Sequence, residues 1–145
     1  MRKRWTLMHG ISRTKRAWND HVREISLAEG IPDSYRKVIM FLHRNPGASQ
    51  CDIAEFVGVT TSAINQVVKS MQEEGYLRKE ADLSDKRSSK LYLTEKGEDA
   101  ACRLRKKLDE ADDAITAVIG AEREKELTEL LHQLTDFIRE DLDQC

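Results

Sequence analysis

The 145-residue sequence predicts a mostly α-helical fold with a small two- or three-stranded β-wing: a winged helix-turn-helix set between long N- and C-terminal helices. Three observations carry that expectation. Two helical stretches between residues 49 and 74 are separated by a glycine turn, and the second has sharply divided polar and apolar faces. A hairpin with a basic tip follows directly, and from Thr94 onward apolar residues recur at alternating steps of three and four. Seven glycines and two prolines are too few for a loop-rich β-sandwich or a disordered chain. The length suits one ordinary domain.

The first helix is expected over about Trp5–Glu29, with Ile11, Trp18 and Ile25 at steps of seven and Val22 one turn beyond Trp18. Gly30 and Pro32 interrupt it. A second helix, about Asp33–Arg44, carries Tyr35, Val38, Ile39 and Leu42 on one stripe and stops at Asn45-Pro46-Gly47. Ser49-Gln50-Cys51-Asp52 has the form of a capping box opening a short third helix with Ile53, Ala54, Phe56 and Val57. After Gly58 and Val59, Thr60 caps a fourth helix, about Thr61–Glu74, and Gly75 stands where a left-handed C-cap belongs. Ile64, Val67, Val68 and Met71 form its apolar stripe, while Ser62, Asn65, Gln66, Lys69 and Glu73 point the other way. Two short strands follow, the first with Leu77, Lys79 and Ala81 alternating with Tyr76, Arg78 and Glu80, the second with Leu91 and Leu93 alternating with Lys90, Tyr92 and Thr94. The rest is helical, broken once at Gly120. Its 3.5-residue seam runs through Ala101, Leu104, Leu108, Ala111, Ile115 and Val118, then Leu127, Leu130 or Leu131, Leu134, and Phe137 or Ile138. Two helices of about 36 Å each are too long for one small chain to cover, so a second copy is expected against them.

The net charge of −2 gives no hint of a nucleic-acid partner. It conceals a division: residues 1–94 hold 16 basic and 11 acidic side chains, residues 95–145 hold 8 and 15. A basic part that meets a polyanion, followed by an acidic part with another task, fits that asymmetry. No window approaches eighteen consecutive apolar residues, which excludes a spanning helix. The basic start is soon broken by His9, Gly10, Ser12 and Arg13, so no signal peptide is expected. Three cysteines, an odd number in no CxxC arrangement, point to a reducing cytoplasm.

The chemistry sits on the fourth helix and the hairpin. The helix N-terminus offers free N–H groups to a phosphate, and Thr60, Thr61 and Ser62 add hydroxyls. Asn65 and Gln66 carry amides that match adenine N6 and N7 in the major groove, and Lys69 reaches a guanine edge or a phosphate. On the hairpin, Lys86 and Arg87 form a cationic tip with Lys90, Arg78 and Lys79 behind. A guanidinium there suits a narrow A·T minor groove, and Asp85 is placed to orient it. An enzyme is disfavoured, since no Ser/His/Asp order, phosphate loop or catalytic carboxylate pair stands out. A winged module that binds protein instead would not need Lys69, Lys86 and Arg87 exposed. The histidines at 9, 21, 43 and 132 form no metal-ligand spacing, so no metal or cofactor is expected.

Asp85-Lys86-Arg87-Ser88-Ser89-Lys90-Leu91-Tyr92-Leu93-Thr94-Glu95-Lys96-Gly97 resembles the wing signature of the MarR (multiple antibiotic resistance regulator) family, D-x-R followed by L-x-L-T-x-x-G. The resemblance extends over nearly the whole chain. It implies a single domain over 1–145, with residues 1–30 and 95–145 as helical dimerisation part and 31–94 as DNA-binding lobe. By the same resemblance Arg87 enters the minor groove, Asp85 holds it, Ser88 belongs to the wing contact, and the Thr61–Lys69 face reads the major groove. The implied function is a ligand-responsive repressor: a homodimeric, sequence-specific double-stranded-DNA-binding regulator on a pseudo-palindromic operator. Ile11, Trp18, Leu104, Leu108, Ile115, Leu127, Leu131, Leu134, Phe137 and Ile138 are the expected dimer contacts. Trp18 and His21 are candidates for an effector cavity, although the plainer expectation is a dimer-core Trp18 and a partly exposed His21. The peroxide-sensing branch of the family needs a cysteine in the first helix, and this chain has none there. Cys51 is expected as a small buried residue, and neither Cys102 nor Cys145 as a sensor.

Overall fold

The computed structural model describes residues 6–85 and 89–140. Six helices and two strands follow in the order α1 (Leu7–Ala28), α2 (Asp33–Arg44), α3 (Gln50–Val57), α4 (Thr61–Glu73), β1 (Leu77–Ala81), β2 (Ser89–Leu93), α5 (Glu95–Ile119) and α6 (Ala121–Glu140). The strands pair antiparallel with Leu77 opposite Leu93 and Ala81 opposite Ser89. A third strand is reduced to one bridge, Ala48 to Leu91, closed by hydrogen bonds from Gly47 N to Leu91 O and from Leu91 N to Ala48 O.

Local signals account for most boundaries. Thr6 caps α1 by accepting from His9 N. At α3 the capping box is complete: Ser49 Oγ accepts from Asp52 N, and Asp52 Oδ2 accepts from Ser49 N at 2.8 Å. Hydrogen bonds donated by Ser49 N and by Ser49 Oγ, both at 2.8 Å, hold the Asp52 carboxyl below its usual value. Because the folded pKa is depressed, the stabilisation is whole above the unfolded pKa and is lost as pH falls through the acid range below about 4. Ser49→Ala is expected to cost about 1 kcal/mol at neutral pH, read as a lower midpoint in urea unfolding. The difference from wild type should shrink in acid.

The core joins the second-helix stripe (Tyr35, Val38, Ile39, Leu42) to Ile53 and Ala54 of α3, Ile64, Val68 and Met71 of α4, and Leu77, Leu91 and Leu93 of the wing. Ala100, Ala101 and Leu104 complete it from α5. Leu104, expected on the association seam, is therefore fully buried within its own chain. The first turns of α5 are used by the core, so Ala101 and Leu104 are not available on its surface. The β1 alternation also departs from expectation. Tyr76 and Leu77 are both buried, whereas Lys79 and Ala81 are exposed: β1 leaves the core after Leu77, while its partner β2 stays packed from Leu91 to Leu93. Cys51 is exposed rather than buried, because α3 turns Ile53 and Ala54 inward and leaves its first turn outside.

The chain divides into two compact units, one ending at Leu108 and one beginning at Asp109. The second contains α6, which buries none of its residues although Leu127, Leu130, Leu131, Phe137 and Ile138 are large and apolar. Among the described residues no helix is long and apolar enough to cross a membrane.

Candidate nucleic-acid interface

The α3–α4 pair is built so that α4 turns one face inward and leaves the other exposed. Gly58 takes φ +77°, a left-handed conformation that costs glycine little, and closes α3 before Thr60 opens α4. Thr60 Oγ1 accepts from Ala63 N at 3.2 Å, which satisfies one N-terminal donor and leaves others directed outward. Ile64, Val68 and Met71 are buried. Thr61, Ser62, Asn65, Gln66 and Lys69 are exposed and form no side-chain hydrogen bond or ion pair among the described residues.

The wing follows α4 and contacts it through β1. Arg78 lies over the Tyr92 ring, 4.8 Å from its centroid, and pairs with Glu80. Lys90, opposite Glu80 across the hairpin, is exposed. Ser84 donates from both N and Oγ to Asp82 Oδ1, shaping the descent from the strand. The sequence reading did not single out Asp82; its Asp-x-Ser spacing is the signal that could have found it. Asp85 is exposed, while Lys86, Arg87 and Ser88 lie outside the described residues. Thus Thr61, Ser62, Asn65, Gln66 and Lys69 are exposed along α4 with Thr60 at its N-cap, and Asp85 and Lys90 stand on the hairpin.

The end of the wing motif has a structural task. Thr94 Oγ1 donates to Gly75 O at 2.5 Å, Thr94 N donates to Tyr76 O at 3.0 Å, and Gly97 N donates to Thr94 Oγ1 at 3.2 Å. A Cβ on Gly97 would stand 2.1 Å from Tyr76 O. The Thr-x-x-Gly spacing thus lets α5 start against the backbone that leaves α4.

The other expected sites are dispersed. Ile11, Trp18, Leu108 and Leu134 are half-buried, and Ile115, Leu127, Leu131, Phe137 and Ile138 are exposed. Trp18 and the exposed His21 have ring centroids 6.4 Å apart. Neither lines the open cleft of about 390 Å³ beside Phe41 and Phe56, whose rings stack at 4.6 Å next to the carboxylates of Asp52 and Glu55. Among the described residues no group of three or more His, Cys, Asp or Glu side chains is placed to hold a metal ion.

Comparison with known proteins adds the family. The sequence profile of the MarR family matches residues 29–88. A helix-turn-helix transcriptional regulator of Bacillus subtilis (strain 168), YybA, is 24% identical, with 85% of this chain and 91% of YybA covered. The transcriptional repressor Rv2887 of Mycobacterium tuberculosis (strain ATCC 25618 / H37Rv) is 28% identical, with 66% and 69% covered. Among solved structures, the MarR family transcription regulator SP03579 superposes with a TM-score of 0.86 at 18% identity, covering 96% of this chain and 94% of that one. The transcriptional repressor CouR, bound to a 23-mer DNA duplex, gives 0.77 at 21% identity, covering 90% and 92%. These relatives are regulators and not enzymes. Matching profile, related sequences and shared fold agree with the capped, outward-facing α4 and its adjoining wing: over residues 29–88 the chain is similar to the MarR family of transcriptional regulators, and it shares the fold of solved members of that family.

Proposed function

We propose that this regulator is a homodimeric, ligand-responsive repressor that reads a pseudo-palindromic operator in the cytoplasm. The observation that carries the DNA reading is the face of α4: five exposed polar side chains without partners among the described residues, on the helix that leads into a basic hairpin. On this reading Asn65 and Gln66 address base edges in the major groove, Thr60, Thr61, Ser62 and Lys69 engage the backbone, and Arg87 of the wing tip enters the minor groove. Asp85, Lys86, Ser88 and Lys90 complete the wing contact. Two copies would place their α4 helices in successive major grooves about 34 Å apart. The apolar residues along α6, none of them buried by the chain itself, favour the second copy as their cover. Residues 1–30 and 95–145 then form the dimerising part and 31–94 the DNA-binding lobe, with the qualification that Leu104 serves the lobe.

Support for repression and an effector comes from the relatives: Rv2887 is named a repressor, and its structure was solved with salicylic acid. An effector acts here only by favouring a dimer whose two α4 helices are wrongly spaced, and Trp18 and His21 remain the candidate contacts. In-vitro selection of DNA by the purified protein tests binding, half-site spacing and the A·T leaning together; recovery of no enriched, repeated half-site overturns the reading. Arg87→Ala is expected to weaken binding to the selected duplex about tenfold in a gel shift at fixed salt, with dimer mass unchanged. Equal affinity would remove Arg87 from the contact.

A further inference from the structure

We propose that Tyr35 and Glu74 form a clamp that sets the angle at which α4 presents its reading face, so that both act as positioning residues for sequence recognition. The proposal rests on the DNA reading above. Glu74 is the C-cap of α4, and three other parts of the lobe converge on it and its neighbour. Tyr35 of α2, 6% exposed, donates its hydroxyl to Glu74 Oε1 at 2.7 Å. Lys96 of α5 donates to Glu74 O at 2.7 Å, with its ammonium 4.2 Å from the Tyr76 ring centroid. Tyr76 in turn meets Tyr35 edge-on at 5.7 Å, and Thr94 holds Gly75 O.

The start of α4 is held differently, by its own Thr60 cap, by the burial of Ile64 and by packing against α3. Among the described residues the side-chain ties from α2 and α5 meet at the C-terminal end of α4, while its exposed polar face lies toward the N-terminus. Asn65 lies about 13 Å along the axis from Glu74, so a 10° swing at the anchor displaces it by about 2 Å. That is more than a base-edge hydrogen bond tolerates. A carboxylate at this end also opposes the helix macrodipole, so Glu74 does not serve the helix as such. Its anchor partners lie in α2, which follows α1 directly, and at the head of α5, the two junctions through which the long helices enter the lobe. The buried Tyr35 hydroxyl stays protonated, since burial and Glu74 both raise its pKa, and so it remains a donor.

Three variants separate positioning from plain stability. Tyr35→Phe keeps the ring against Tyr76 and removes only the donor. Glu74→Ala removes the acceptor, and Glu74→Gln keeps one. Binding is measured to a duplex selected with the wild type and to a scrambled duplex of equal length, over a salt series, alongside amide hydrogen exchange of the free proteins. Tyr35→Phe and Glu74→Ala are expected to bind the selected duplex about tenfold more weakly, with unchanged affinity and salt slope on the scrambled one. Glu74→Gln should stay within about twofold of wild type, and amides in the last turn of α4 should exchange faster in the two impaired variants. Wild-type affinity in Tyr35→Phe, equal losses on both duplexes, or Glu74→Gln as weak as Glu74→Ala overturns the proposal. A wild type that prefers neither duplex overturns the DNA reading instead, and unchanged exchange in α4 then overturns the clamp on its own.

Discussion

Gly97→Ala is expected to destabilise the winged lobe by about 3 kcal/mol or more, although alanine is the better helix former by about 1 kcal/mol. The added Cβ would meet Tyr76 O at 2.1 Å and two Leu93 side-chain atoms at 3.1 Å. The first of these is backbone, already fixed as acceptor of the Thr94 N–H, so no side-chain rotation relieves it. Relief requires α5 to shift away from the strand, which loosens Ala100, Ala101 and Leu104 from the core. The same exchange at Gly10, in α1, meets nothing of its own chain within 4 Å and should be neutral or stabilise by up to about 1 kcal/mol. Urea unfolding of the two variants is the check. Equal midpoints for Gly97→Ala and wild type would mean that the junction yields without cost.

Leu131→Asp should abolish dimerisation and with it nearly all operator affinity. Leu131 is 38% exposed on a helix that buries nothing of its own, and a carboxylate there costs little in a lone chain but much inside an apolar interface. Light scattering should give half the wild-type mass. Affinity for a duplex with both half-sites should fall by about 10²–10⁴, because the second contact ceases to be intramolecular. Leu108→Asp should act in the same direction. A dimer of normal mass in both variants would sink the seam assignment. Leu104→Asp is not a valid test, since that side chain belongs to the lobe core and its loss would unfold the DNA-binding part as well.

Several site features were legible because they are local. A Ser three residues before Asp52, a Thr at the head of an apolar stripe and a glycine after it are short-range instructions to the backbone. They place α3, α4 and the outward face of Thr61, Ser62, Asn65, Gln66 and Lys69 without knowledge of anything else. The helix break at Gly120, with φ +87°, was readable for the same reason. What escaped is non-local. The Tyr35–Glu74 bond spans 39 positions, and nothing in either neighbourhood announces the other. Leu104 and Leu131 occupy equivalent positions in one periodic pattern, yet one lies in the core and the other on the surface. Periodicity reports that a face is apolar and not what covers it. Cys51 shows the converse: a residue type that is usually buried stands outside because its helix turns the neighbouring Ile53 and Ala54 inward.

The sequence by itself therefore determined the order of elements, their caps, the polar face of α4 and the charge division at Thr94. Each of these depends on energies exchanged within a few residues or on a simple count. Only the tertiary structure decided why the wing motif ends in glycine, which part of α5 is core, and what meets the C-terminal end of α4. Those follow from backbone and side chains brought together from distant segments at close packing, where a single Cβ or hydroxyl decides the fit.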